Sequence, residues 1–211
     1  MPQCAPNIWF DDAARVGLGI ELEISAIEKA LAALAALSPD IYLSVNASPS
    51  AIVSGEVARV LEHAPLERIM LEITEHSFIQ EYVKVNDALR PLRKRGLRIA
   101  VDDAGAGYAS FRHILELAPE VIKLDMSLTR DIDSKVANCA LASALITFAE
   151  RTGSKIVAEG VETAAELHTL RDLGVAQAQG YLVGRPSTLE SAAQLCRNNV
   201  MLPMGETAHS A

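Results

Sequence analysis

A chain of 211 residues, half of them hydrophobic, is long enough for one large domain or two small ones. Its formal net charge of −8 argues against DNA or other general nucleic-acid binding, which needs clustered cations to displace counterions. Its apolar stretches are too short or too interrupted to cross a bilayer, and no signal peptide is expected because residues 1–10 lack a positive segment followed by an apolar one. Three widely spaced cysteines favour a reduced, cytoplasmic setting.

Short apolar runs alternate with helical patterns along the chain. The runs are rich in Ile, Val and Leu and nearly continuous, as expected for strands buried on both faces of a parallel sheet. They are predicted at Ile41–Val45, Ile69–Ile73, Leu97–Val101, Val121–Leu124 and Lys155–Ala158, with a weaker one at Ala178–Val183. An open doubly wound sheet and a closed (β/α)8 barrel both satisfy this alternation. No linker divides the chain, so residues 1–200 are expected to form one domain and residues 201–211 a flexible tail.

Amphipathic helices are predicted between these runs. Apolar residues recur every three or four positions over Ile20–Leu34 and again over Tyr82–Leu92. Pro91 lies within the second stripe and predicts a local kink or an early stop. Thr163 and Glu166 have the spacing of a capping box at the start of a later helix.

Polar side chains follow strand after strand at the carboxyl end. They are Asn46, Glu72, Glu75, Asp102, Asp103, Lys123, Asp125, Glu159, Glu162 and Gln179. In a barrel these ends converge on one mouth, whereas in an open sheet they spread along an edge. A single acid in such a place is more often a helix cap, but recurrence along the chain favours a barrel with one functional site.

The adjacent pair Asp102–Asp103 predicts a metal site, because two neighbouring carboxylates repel each other unless a cation lies between them. Oxygen ligands without a Cys or His partner favour Mg²⁺ or Mn²⁺ over structural zinc. Lys123 lies within an apolar run, and a buried lysine needs a partner. It is expected either to face carboxylates at the barrel mouth or to form a structural salt bridge with Asp125 or another acid.

Together these segments resemble the EAL domain family of cyclic di-GMP phosphodiesterases. The matching stretches, in the family's order, are 45–48, 71–75, 101–108, 122–125, 157–162 and 179–181, within about Asn7 to Pro186. The resemblance implies an α/β fold, a modified TIM (β/α)8 barrel that is incomplete at its N-terminus, with cyclic di-GMP bound at the strand ends. In an active member, one phosphodiester bond is opened to give linear pGpG.

The resemblance also implies a two-metal site. Asn46, Glu72 and Asp102 would hold one ion, and Asp102 with Asp103 would hold the second, both ions being Mg²⁺ or Mn²⁺. Such ions activate water and neutralise charge in an in-line displacement. They also reconcile an acidic pocket with an anionic substrate.

Further roles follow from the same resemblance. Glu159 would support the metal site, while Lys123 and Gln179 would orient the attacking water or its surroundings. Glu75 would brace the loop that follows Asp103, in which Gly105 and Gly107 permit unusual backbone angles. The acids assigned to substrate or loop contacts are Glu75, Asp125 and Glu162.

Two departures from the family's pattern leave alternatives open. The family's Glu-Ala-Leu, on its first barrel strand, is absent from the 211 residues, and Glu21 and Glu23 stand in a helical pattern that makes neither a credible replacement. In the loop that couples metal binding to dimerisation in the family, Ala104, Ala106 and Ala109 replace Phe, Thr and Ser. A phosphodiesterase, a non-catalytic cyclic di-GMP receptor, and a fragment that needs another segment to complete the barrel are therefore competing expectations.

The expected partners follow from the same family pattern. Cyclic di-GMP is the expected ligand and a homodimer the expected assembly. An upstream sensor or diguanylate cyclase domain is expected in a longer parent protein.

Overall fold

The computed structural model describes residues 6–74, 81–105 and 109–197. Six parallel strands form one curled sheet, each pairing with the next along the chain. They are β1 Leu43–Asn46, β2 Ile69–Thr74, β3 Arg98–Ala104, β4 Val121–Leu124, β5 Lys155–Ala158 and β6 Gln177–Ala178. The curled parallel sheet is a half-barrel, consistent with an incomplete TIM barrel, as expected from the sequence.

Helices connect the strands, as parallel pairing requires. They are α1 Pro6–Arg15, α2 Gly19–Leu34, α3 Pro49–Val53, α4 Glu56–Val60, α5 Tyr82–Lys94, α6 Ala109–Leu117, α7 Met126–Thr129, α8 Val136–Thr152, α9 Ala164–Asp172 and α10 Leu189–Arg197, with a 3-10 turn at Leu66–Arg68. Within the described ranges, no helix is long and apolar enough to cross a membrane.

The main core lies between the sheet and its helices. Leu71 and Ile99 are fully buried there, and burial of each such side chain stabilises the fold by about 1.5–3 kcal/mol. A smaller apolar cluster, formed only by strand residues, contains Met70, Ala100 and Val121 on the other face of the sheet. The strands are therefore apolar on both faces, which explains their nearly continuous hydrophobic sequence.

Strand positions agree with the sequence predictions in the centre of the sheet and differ at its edges. The predicted ranges for β4 and β5 are confirmed, and β3 continues to Ala104, so that Asp102 and Asp103 lie within the strand. The prediction of a strand over Ala178–Val183 is wrong beyond its first residue. The amides of Val183 and Gly184 both donate to the carbonyl oxygen of Gly180, which closes a local turn and ends the ladder with β5.

One predicted helix feature is wrong and another is confirmed. Helix α5 continues through Pro91 to Lys94, so an early stop at Pro91 is wrong. The capping box is confirmed, because Thr163 accepts from the Glu166 amide and Glu166 accepts from the Thr163 amide. The buried Glu166 carboxylate also accepts the amides of Asp131 and Glu162, each at 2.9 Å. It thereby ties the loop after α7 to the loop after β5.

Candidate active site

An ion-pair cluster occupies the carboxyl ends of four neighbouring strands. The Nζ atom of Lys123 on β4 lies 3.0 Å from Glu72 Oε2, 2.9 Å from Asp102 Oδ1 and 2.8 Å from Glu159 Oε1. Only 8% of the Lys123 side chain is exposed. The prediction that the buried Lys123 has an acidic partner is confirmed, and its partners among the described residues are these three acids rather than Asp125.

The parallel register explains why these side chains meet. Asn46 on β1 lies directly opposite Glu72 on β2, and Glu72 lies opposite Ala100 on β3. Lys123 comes two residues after Val121, which belongs to the small apolar cluster, and alternate strand residues share a face. The polar side chains therefore form a layer above that apolar cluster, towards the strand ends.

A backbone irregularity brings Asp103 to the same place as Asp102. Consecutive strand residues normally point to opposite faces, but the register of β3 with β4 shifts between Val101 and Ala104. Asp103 adopts a positive φ of 56°, a conformation that Asp tolerates better than most residues, and its amide donates to Asp102 Oδ1 at 3.1 Å. As a result, carboxylate oxygens of Asp102, Asp103 and Glu159 lie within 4.8 Å of one another.

The electrostatics of the cluster favour cations. Burial by itself lowers the pKa of Lys123, but the carboxylates of Glu72, Glu159 and Asp102 raise it overall above its ordinary value. Burial raises the pKa of Glu159 to about 7; the charge of Asp102 adds to this rise and Lys123 opposes it. One ammonium thus faces several closely spaced acids, an arrangement that a further cation would stabilise.

The hydroxyl of Ser44 on β1 was not predicted from the sequence, and it completes the contacts of Glu72. Ser44 donates to Glu72 Oε1, while Lys123 binds Oε2. Both oxygens of this carboxylate are therefore held from opposite sides. Ser44 precedes Asn46 by two residues on the same strand, so period-two alternation is the sequence signal that could have found it.

A cavity of about 680 Å³ opens in front of the cluster. Its polar lining includes Asn46, Glu72, Asp102, Asp103 and Glu23, and its apolar lining includes Phe10, Ile27 and Ala30. Glu23 on α2 accepts the amide of Ser48 at 2.8 Å, which ties α2 to the turn after Asn46. Glu23 and Phe10, for which the sequence predicts no role, therefore border the same cavity as the predicted metal ligands.

Another cavity, of about 330 Å³, also borders the cluster. Asp125, Glu162 and Gln179 line it, together with Asp103 and Glu159. Asp125 also accepts the Ser127 amide at 2.9 Å as the cap of α7, and Glu162 pairs with Arg130 at 3.2 Å. Asp125 and Glu162 thus combine structural contacts with exposure to this cavity.

Part of the predicted site loop lies outside the residues that the structure describes. Gly105 has a positive φ of 106°, as expected for a glycine that permits an unusual backbone angle. Glu75 and Gly107 lie outside the described residues, so the predicted bracing role of Glu75 remains a prediction.

The donor set of the cluster fits a hard divalent cation. Asp102, Asp103 and Glu159 offer carboxylate oxygens at mutual distances that one or two ions could span. Oxygen-only ligands suit Mg²⁺ or Mn²⁺. The arrangement can therefore hold metal ions beside a fixed ammonium, at the border of the cavities of about 680 Å³ and 330 Å³.

Sequence comparison places the chain among proteins with one shared domain. Residues 4–186 match the EAL domain family. The cyclic di-GMP phosphodiesterase RocR of Pseudomonas aeruginosa is 33% identical over 169 residues, covering 77% of this chain and 43% of RocR. The probable cyclic di-GMP phosphodiesterase PdeA of Escherichia coli is 30% identical over 193 residues, covering 87% of this chain and 26% of PdeA. This chain thus spans less than half the length of either relative.

Solved structures agree with this result. The c-di-GMP complex of the phosphodiesterase PaMucR matches with a TM-score of 0.80 at 26% identity, over 91% of this chain and 83% of that one. The EAL domain of Mycobacterium smegmatis DcpA gives 0.75 at 28% identity, over 82% of both chains. The manganese and cyclic di-GMP complex of Klebsiella pneumoniae BlrP1 gives 0.73 at 27% identity, over 80% of this chain and 45% of that one.

Proposed function

This chain belongs to the EAL domain family, and we propose that it binds cyclic di-GMP and hydrolyses one phosphodiester bond to give linear pGpG. The observation that carries the proposal is the convergence of Asp102, Asp103 and Glu159 on one point beside Lys123. Phosphodiester hydrolysis by two metal ions needs such a group of oxygen ligands at the border of a cavity that admits the substrate.

The residues divide into ligands and groups that hold the ligands in place. Asn46, Glu72 and Asp102 would hold one Mg²⁺ or Mn²⁺ ion, and Asp102 with Asp103 would hold the second, with Glu159 supporting the same cluster. Bound ions would supply activation of water and neutralisation of charge on the phosphodiester. The chain's own side chains would supply the other requirements of the reaction.

Lys123 has a central part in this arrangement. Its ammonium contacts three carboxylates at 2.8–3.0 Å, so that their positions are fixed before substrate arrives. Preorganised charges cost no rearrangement during the reaction, which is a major source of catalysis. Lys123 and Gln179 would also orient the attacking water from their side of the cluster.

The two cavities are suited to a dinucleotide. A volume of about 680 Å³ lies within the usual range for small-molecule sites. The apolar side chains of Phe10 and Ile27 line this cavity and suit the flat faces of bases, while the acidic floor would meet the phosphates through metal ions. The smaller cavity beside Glu162 and Tyr181 offers room for the other half of the ligand.

Chromatographic detection of pGpG from cyclic di-GMP, with Mn²⁺ present, tests this function. Product is expected from the wild type and from Asp133→Ala, a control at an exposed acid that lines neither cavity. Product should disappear in Asp102→Ala, which loses the carboxylate shared by both proposed ions.

The 211 residues contain no Glu-Ala-Leu motif, which leaves a non-catalytic receptor as the alternative function. Binding of cyclic di-GMP is therefore measured separately from turnover, by calorimetry. Binding without turnover, by a protein that melts cooperatively, would replace the phosphodiesterase with a cyclic di-GMP receptor. If such a protein shows no binding and no turnover, both functions are refuted.

A further inference from the structure

Helix α7 lies between the two chain segments that carry the acidic cluster. The helix begins directly after Asp125 and runs over only Met126–Thr129. One segment, at the end of β3, carries Asp102 and Asp103. The other, after β5, carries Glu159. Side chains of α7 contact both.

The contact with the Glu159 segment is polar. Thr129 is fully buried, and its hydroxyl donates to the backbone carbonyl oxygen of Glu159. The same hydroxyl lies 3.3 Å from the carbonyl oxygen of Met126 in its own helix. The Glu159 amide donates to the Leu124 carbonyl oxygen at 3.1 Å, so both peptide groups of Glu159 are held by the β4–α7 segment.

The turn after Glu159 fits closely against the same helix. Gly160 has a positive φ of 64°, and a Cβ atom built there would lie 2.5 Å from the Cβ of Met126. A side chain at position 160 would therefore push α7 away from the turn. The backbone direction that carries the Glu159 side chain towards Lys123 depends on this fit.

The contact with the Asp102–Asp103 segment is apolar. A Cβ atom built at Gly105 would collide with Leu128 Cδ1, and Leu128 itself is buried. Leu128 and Thr129, two successive residues of α7, thus contact Gly105 and the backbone of Glu159. The relative positions of the three carboxylates depend on this helix.

We infer that Thr129 is a positioning residue for the metal cluster: its hydroxyl fixes the backbone of Glu159 and thereby the place of that carboxylate beside Asp102 and Asp103. The inference rests on the proposed function, because it assigns the cluster to divalent ions. It adds a residue that touches neither metal nor substrate. A threonine hydroxyl at this buried position has no other described acceptor outside its own helix.

Titration calorimetry of the metal-free protein with Mn²⁺ tests the inference. Thr129→Val keeps the size of the side chain and removes the donor, while Thr129→Ser keeps the donor. Loss of an outer contact to a metal site typically weakens affinity 10–100-fold, so Thr129→Val is expected to weaken Mn²⁺ binding about 10-fold. Thr129→Ser is expected to stay within about 2-fold of wild type on the same scale.

Two further variants control for packing. Thr147→Val makes the same substitution on an exposed face of α8 and should leave Mn²⁺ affinity unchanged. Thr129→Ala lacks the hydroxyl without adding a second methyl group, and it should reproduce the loss seen with Val. A melting curve of each metal-free variant confirms that the compared proteins are folded.

The outcomes separate this inference from the proposed function. If the folded wild type binds no Mn²⁺, the two-metal function fails. If the wild type binds Mn²⁺ and both Thr129→Val and Thr129→Ala bind it equally well, the positioning role of Thr129 is wrong. Equal losses in Thr129→Ser and Thr129→Val would also overturn it, because the hydroxyl would then not be the cause.

Discussion

Replacement of Lys123 by Met should destabilise the metal-free protein severely. The ammonium pairs with Glu72, Asp102 and Glu159 at 2.8–3.0 Å in a position where 8% of its side chain is exposed. Methionine keeps most of the aliphatic stem but removes the charge. Three carboxylates are then left close together without their cation.

The expected magnitude follows from the loss of one partner from a buried ion pair. Such a loss typically costs about 3–5 kcal/mol, because the remaining charges stay buried and uncompensated. A protein domain has a free energy of unfolding of about 5–15 kcal/mol, so Lys123→Met should remove a large part of that stability. At about 2–4 °C per kcal/mol for a chain of this size, Tm should fall by about 6–20 °C.

Thermal unfolding with a chelator, and then with Mn²⁺, measures this effect. Mn²⁺ should raise the Tm of Lys123→Met more than that of the wild type, because the ion supplies charge that the variant lacks. Lys155→Met, at an exposed lysine on β5, is the matched control and should melt close to wild type. If metal-free Lys123→Met melts within about 2 °C of wild type, Lys123 does not stabilise the fold as a buried ion-pair partner, since so small a shift corresponds to about 1 kcal/mol or less.

Three other perturbations test separate parts of the structure. Asp102→Asn should lower pGpG release at saturating Mn²⁺ by at least about 100-fold, since even outer contacts of metal sites are worth 10–100-fold; turnover near wild type would remove Asp102 from the site. Burial raises the pKa of Glu166, but its bonds from three backbone amides lower it overall below the ordinary 4.5. The stability that its carboxylate contributes is therefore present above pH 4.5 and lost as pH falls through the lowered pKa. Glu166→Gln should be less stable than wild type in urea at about pH 7, by a margin that shrinks at about pH 3, and a constant margin would contradict this. Gly160→Ala and Gly153→Ala both place a side chain at positive φ, which costs about 1–2 kcal/mol. Only Gly160 also meets Met126, so its variant should melt lower, and equal melting temperatures would contradict the close fit of α7.

The sequence was sufficient to predict the strands at the centre of the sheet and the acids at their ends. Continuous apolar runs such as Val121–Leu124 have few alternatives to a buried parallel strand, and the residue that follows such a strand must lie at its carboxyl edge. The cation of Lys123 within an apolar run required a buried partner. The sequence could not decide whether the partner of Lys123 is Asp125 or another acid, because the answer depends on the register and curl of the strands.

Features that depend on contacts between distant segments were beyond the sequence. Nothing local distinguishes Thr129 from other small polar residues, and period-two alternation puts Ser44 on the face of Asn46 without showing that it contacts Glu72. Both roles exist only because Glu159 and Glu72 lie across from these hydroxyls. The bulge at Asp103 arises where β3 meets β4, whereas β6 is followed by a local turn in which the amides of Val183 and Gly184 donate to the Gly180 carbonyl oxygen. Ser44, Thr129 and the bulge therefore depend on tertiary contacts, and the short β6 depends on a turn that its apolar run does not reveal.

Asp102, Asp103 and Glu159 are expected to hold divalent metal that acts on cyclic di-GMP. Anomalous scattering from crystals grown with Mn²⁺ and cyclic di-GMP tests this metal site. Anomalous peaks are expected between these carboxylates, with metal–oxygen distances of about 2.0–2.2 Å, and the ligand's phosphate is expected beside them. Crystals in which the dinucleotide is bound but no anomalous peak lies at this cluster, at saturating Mn²⁺, would contradict it.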